Sequence, residues 1–198
     1  YGACSTMSES LLMASLMTDS DIGGNVVAVT SSHFCSAERQ FRFPLSYGGV
    51  RTPTAQWTCT ASGAAVVSPH GENGPYVKAA TIGKIVDMGI TDANNMGAAM
   101  APAAAATLLH YLADTHAELR DFDCIYTGDL GLVGSQMLRE LLAAEGLLLK
   151  NHADCGCLLY DAEEQRVKSG GSGAGCCVAV LCAHILPKLL RRGSRRVL

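Results

Sequence analysis

Short β-branched runs alternate with alanine- and glycine-rich helical stretches along this chain, and that alternation constrains the fold more than any single motif. Asn25–Ser31 (NVVAVTS) reads as a buried strand, Gly63–Ser68 (GAAVVS) and Asp123–Thr127 (DCIYT) as two more, and Tyr76–Asp87 suggests another. Helical stretches are predicted at Ser8–Thr18, at Gly97–Leu119, near Ser135–Glu145 and at Cys176–Leu190. Pro102 falls near the start of the second, where a proline is tolerated. Leu147–Leu149 is a short apolar segment, and Cys157–Tyr160 with Gln165–Lys168 is expected to form a hairpin around Asp161–Glu164. Strand, loop and helix recur, which suggests α/β layers in two related halves. Aromatics are only 6% of the residues while glycine and alanine are plentiful. That mix suits helices lying close on a parallel sheet.

A chain of 198 residues, 48% of them hydrophobic, has enough apolar material for one sizeable domain or two small ones. The net charge is −3 and no polybasic run suggests nucleic acid. The cluster Arg191, Arg192, Arg195 and Arg196 reads as a solvated helix end, with an anionic lipid contact the lesser reading. The nine cysteines are scattered through apolar stretches, which fits buried free thiols in a reducing compartment. No apolar run reads as the roughly 18 to 20 residues needed to span a bilayer, so any membrane association is expected to be peripheral or through a partner. The chain starts at Tyr1 without a methionine, and Arg196-Val197-Leu198 resembles the first residues of a strand. Both features lead us to expect part of a larger protein, one that does not fold alone.

Four constellations carry chemistry. Gly2-Ala3-Cys4-Ser5-Thr6 stands before a helix, where backbone N–H groups and the helix dipole favour a thiolate. A small residue at a tight turn is more often a mark of packing. Gly170–Gly175 (GGSGAG) leads into another helix and exposes N–H groups as an anion nest, or else allows close helix–strand packing. It lacks the lysine of a P-loop and the Rossmann spacing, so no nucleotide and no other cofactor is implied. Asn151–Cys157 (NHADCGC) gathers one His, one Asp and two Cys. Cys-x-Cys is tight for tetrahedral zinc and no second ligand pair follows, so a turn with buried thiols is expected. Ser31-Ser32-His33, with Arg39 and Arg42 following, offers arginines suited to carboxylates, although such residues more often lie on the surface. These last residues belong to a long irregular excursion, 32–60, that reads as a functional loop.

Taken in order, GACST at 2–6, TSSH at 30–33, AERQFRFP at 37–44, GITDANNMGAAMAPAAA at 89–105, TGDLGLVGS at 127–135, HADCG at 152–156 and GGSGAGC at 170–176 resemble the stage V sporulation protein AD family. The resemblance implies a thiolase-like α/β fold of two βαβαβαββ-type halves, incomplete here at both ends. Residues 1–105 would hold the remainder of the first half and 106–198 an incomplete second half. It also implies binding of dipicolinic acid, free or as the calcium chelate, for uptake into the developing spore. The setting would be peripheral on the spore inner membrane, with membrane-embedded proteins of the same transport system as partners. A homodimer is implied by analogy.

Within that resemblance, Cys4 falls where thiolase-like condensing enzymes carry their acyl-accepting cysteine. Their histidine, in a Pro-His-Gln-Ala-Asn motif, aligns with Gly128 in Thr127-Gly128-Asp129. Their asparagine, in a Gly-Asn-Thr-Ser turn, aligns with Gly171. The oxyanion and carbanion stabilisers of such an enzyme are thus replaced, and non-catalytic binding is expected, with an acyltransferase using Cys4 as the alternative. The glycine at 171 would widen the cavity, and the turns at Gly2–Ser5 and Gly170–Gly175 would face each other across it. The ligand-binding set implied is Cys4, Ser5, His33, Arg39, Gly128, Asp129, Gly171 and Ser172. Asp129 would repel a dianion unless calcium stood between them; no metal ligand set is assigned.

Overall fold

The computed structural model describes residues 2, 4–37, 47, 49–71, 74–191 and 195–198. Arg39 and Arg42 lie outside them. The described residues form a mixed α/β arrangement whose strands pair two by two. Strand β1 (Val26–Ser32) pairs antiparallel with β3 (Ala61–Val67), in register from Val26↔Val67 to Ser32↔Ala61. The side chains alternate with period two. Ala28 and Thr30 turn inward, while Val27, Val29 and Val66 face out. The inward face packs on helix α1 (Thr6–Asp19) through Met7 and Ala14, and on Val178.

The excursion between β1 and β3 contains a short helix, α2 (Phe34–Ala37), and a two-residue strand, β2 (Trp57–Thr58). It is fastened by a stack. The Phe34 and Trp57 rings lie 5.2 Å apart, and the Arg51 guanidinium sits 3.5 Å from the Trp57 ring centroid, a cation–π contact. Strand β2 runs parallel to β6 (Gly171–Ser172), which ties the first part of the chain to the second.

Helix α3 (Met96–Thr115) starts at Asn95, whose side chain accepts from the Ala98 N–H, and stops where His116 turns left-handed at φ 53°. It crosses α4 (Gly131–Ala144) at a glycine pair: a Cβ on Gly97 would lie 2.7 Å from the Gly134 nitrogen. Leu108, Leu112, Leu138 and Leu142 form the core between the two helices. Strand β4 (Ile125–Thr127) pairs parallel with β5 (His152–Asp154) and, on its other side, through Cys124 with Val197. Helix α5 (Cys155–Leu159) follows β5 directly. Helix α6 (Ala174–Val180) continues through a π-helical stretch, Leu181–Ile185, into α7 (Leu186–Leu190). Pro187, early in α7, has no N–H to give the preceding turn, which accounts for the widened π geometry just before it.

The expected strands at 25–31, 63–68 and 123–127 and the four helical stretches are present with shifted ends. Three expectations need correction. Tyr76–Asp87 forms no strand among the described residues; it runs exposed, Ile85 fully so. Its apolar pattern lacks the ladder partner that makes a strand. The expected hairpin is absent too: Cys157–Leu159 belongs to α5, because the Asp154 side chain caps that helix at the Cys157 N–H. Pro102 lies inside α3, beyond its first turn. Helix α3 is long and apolar enough, by length and composition alone, to cross a membrane, a test that a core helix also passes. Its buried residues, including Ala101, Ala105 and Leu108, are spent on the core it shares with α4.

Candidate functional site

Two turns meet at Cys4. The first carries Cys4 into α1. The second is Gly171–Ser172–Gly173, between β6 and α6. Gly173 takes φ 103° and ψ 165° there, a conformation open essentially to glycine alone. A Cβ at Gly173 would also lie 3.0 Å from Ser32 Oγ. Beneath both turns lies Asp129, just past β4 and only 5% exposed. Its carboxylate accepts from Ser172 Oγ at 2.7 Å and from the Gly173 N–H at 3.0 Å. Buried Gln56 donates from its side-chain amide to the Asp129 backbone carbonyl. Ser172 Oγ lies 3.8 Å from Cys4 Sγ.

The electrostatics of this cluster follow from burial and like charge. Burial, then the neighbouring Asp129 carboxylate, pushes the Cys4 thiol up to about 12. The expected thiolate-favouring turn is therefore corrected: carboxylate and desolvation outweigh the helix dipole. Burial likewise holds the Asp129 carboxyl above the usual carboxylate range, against the hydrogen bonds it receives.

Of the eight residues in the expected set, the structure gathers Cys4, Gly128, Asp129 and Ser172. A Cβ at Gly128 would lie 3.9 Å from the Cys4 carbonyl oxygen, in ordinary contact. Gly171 points elsewhere. A Cβ on it would meet the Tyr160 ring at 2.9 Å, so its lack of a side chain admits Tyr160 and does not widen a cavity at Cys4. Ser172 takes the place facing the thiol. Ser5 is exposed and gives its hydroxyl to Glu9. His33 is exposed, its Nδ1 accepting from the Cys35 N–H at 3.2 Å.

The NHADCGC motif is architectural. Asp154, 3% exposed, accepts from Thr127 Oγ1 at 2.6 Å, from the Leu130 and Gly131 N–H groups at 2.8 and 3.0 Å, and from the Cys157 N–H at 3.2 Å. This single carboxylate ties β4, β5, α4 and α5 together. His152 Nε2 lies 2.9 Å from the same Thr127 oxygen. The Thr127 proton is given to Asp154, so His152 is the donor, a neutral imidazole whose pKa burial lowers. Neither His33 nor His152 is the hydrogen-bond partner of Cys4. Among the described residues no group of three or more His, Cys, Asp or Glu is placed to hold a metal ion.

Two features escaped the sequence reading. Gly173 supplies a backbone donor to Asp129, which no side-chain pattern announces. Behind the site, Cys59 shares a hydrogen bond with Cys176, and Cys155 with Cys177. Donation from Cys176 and Ser32 brings Cys59 down to about 7. The adjacent cysteines at 176 and 177 hinted at the cluster, but their partners come from distant elements.

Two comparisons bear on this geometry. The family model described as Stage V sporulation protein AD matches residues 1–198. The chain is also 44% identical over 195 residues to the stage V sporulation protein AD of Bacillus subtilis (strain 168), covering 98% of this chain and 57% of that relative. The chain thus spans a little over half the length of the curated relative it matches.

Proposed function

The chain belongs to the stage V sporulation protein AD family, and on that premise we propose that it serves sporulation by binding dipicolinic acid, with calcium, for uptake into the developing spore. The observation that carries the non-catalytic part is the Cys4 environment. A condensing enzyme needs an imidazole and an amide at its cysteine; here the thiol meets Ser172 and the carboxylate of Asp129.

In this reading the fold is thiolase-like, with halves at 1–105 and 106–198. The ligand occupies the region where the Gly2–Ser5 and Gly170–Gly175 turns meet, and Cys4 is a small polarizable wall. The planar dianion faces Asp129, which must carry a proton or share a calcium ion with it; two bare carboxylates side by side are unfavourable. His33 and Arg39 are the proposed charge partners of the ligand, the arginine by its fit to a carboxylate. Membrane-embedded proteins of the same transport system and a second copy of the chain are the proposed partners, in a peripheral setting on the spore inner membrane.

Titration of the full-length protein with dipicolinate, with and without calcium, tests the proposal. Saturable binding that survives Cys4→Ala supports it. Absence of binding, with acylation of Cys4 by an acyl-thioester, favours a thiolase-like acyltransferase instead.

A further inference from the structure

Cys4 stands at the start of a helix, where the dipole and unpaired N–H groups ordinarily favour a thiolate. The groups around the sulfur oppose this. The Ser172 hydroxyl donates its proton to Asp129 at 2.7 Å, so towards Cys4 Sγ, 3.8 Å away, it presents only lone pairs. The Gly173 N–H, a second donor on the same turn, is also taken by Asp129, at 3.0 Å. A thiolate at Cys4 would face a buried carboxylate, and what Ser172 and the Gly173 N–H, both engaged by Asp129, still lend the sulfur is outweighed by burial and by that charge.

We infer that Asp129 is a silencing residue: seated on the Ser172 hydroxyl and the Gly173 N–H, its carboxylate keeps Cys4 a neutral thiol and bars it from covalent chemistry. The carboxylate acts as a built-in anion. It occupies the nest that an oxyanion would need, competing for its donors, and its charge outweighs what they lend the sulfur. Gln56 fixes it from behind by binding the Asp129 backbone carbonyl. The other acid nearby, Asp154, is held by its own donors and adds negative charge. The neighbouring thiols of Cys59, Cys176 and Cys177 bring no cation. The inference deepens the non-catalytic part of the proposed function and does not depend on the identity of the ligand.

The test is iodoacetamide alkylation of the full-length protein at about pH 8, read at Cys4 by peptide mass spectrometry. The exposed Cys35 serves as internal standard. In this probe reaction the sulfur–carbon bond forms, iodide leaves and the thiol proton passes to solvent. Wild-type Cys4 is expected to label at least about tenfold more slowly than Cys35, and Asp129→Asn to raise the Cys4 rate by about tenfold or more while leaving Cys35 unchanged. Asp129→Ser provides the same reading if the asparagine variant does not fold. Ser172→Ala separates silencing from mere loosening: it keeps the carboxylate, so Cys4 stays slow. Wild-type Cys4 labelling as fast as Cys35 would overturn the inference. So would an unchanged Cys4 rate in a folded Asp129 variant, or a Ser172→Ala rate matching that of Asp129→Asn. The readout is thiol chemistry alone, so an unchanged rate in the Asp129 variants leaves the dipicolinate proposal standing.

Discussion

Asp129 and Gly173 decide what the residues at the junction can do, and neither role is visible in a one-dimensional pattern. The motif GGSGAG suggests a nest of N–H groups, which is there, but not the carboxylate from another element that fills it. Cys4 was legible as a thiol at a helix start; the sign of its perturbation was not, because that depends on Asp129, brought in from beyond β4. Two predictions belong at this scale. Asp129 already sits above the usual carboxylate range, so a ligand carboxylate placed beside it raises it further and binding takes up a proton. In the absence of calcium, the dipicolinate heat should vary with the ionisation enthalpy of the buffer at fixed pH. Affinity should then rise as pH falls through the Asp129 pKa, and Asp129→Asn should abolish the buffer dependence; a buffer-independent wild-type heat would refute this. Gly173→Ala should destabilise the protein by about 1–3 kcal/mol in denaturant titrations, since its φ of 103° excludes a side chain and Ser32 occupies the space.

The elements were more legible than the site. Alternating β-branched runs predicted β1 and β3, and the alanine-rich stretch predicted α3, because local period and propensity settle such segments. Tyr76–Asp87 shows the limit: strand-like residues make a strand only when a neighbour supplies hydrogen bonds. The supposed hairpin failed for the opposite reason, a cap at Asp154 that converts the segment into α5. The α3–α4 crossing depends on glycine at 97 and 134, so Gly97→Ala should cost about 1–3 kcal/mol by overpacking. Asp154→Ala should cost about 3 kcal/mol, because several buried N–H groups lose a charged acceptor at once. Chemical denaturation checks both. An Asp154→Ala protein as stable as wild type would remove that carboxylate from its place at the centre of the strand–helix junction.

For the molecule as a whole, the short β2–β6 pairing, alongside the packing of α6 on β1, joins sequence-distant parts. It sets Trp57 beside Gly171 and Thr58 beside Ser172, and Ser172 then reaches Cys4. That convergence supports a binding site made by two turns rather than by one motif. The family is shown by likeness along the entire chain, whereas dipicolinate recognition is our reading of what the junction serves. Calorimetric titration of the full-length protein with dipicolinate tests that reading most directly, run with and without calcium beside Cys4→Ala and an acyl-thioester control. Saturable binding is expected in wild type and in Cys4→Ala, with no turnover of the thioester. No dipicolinate heat, together with an acylated Cys4, would contradict it.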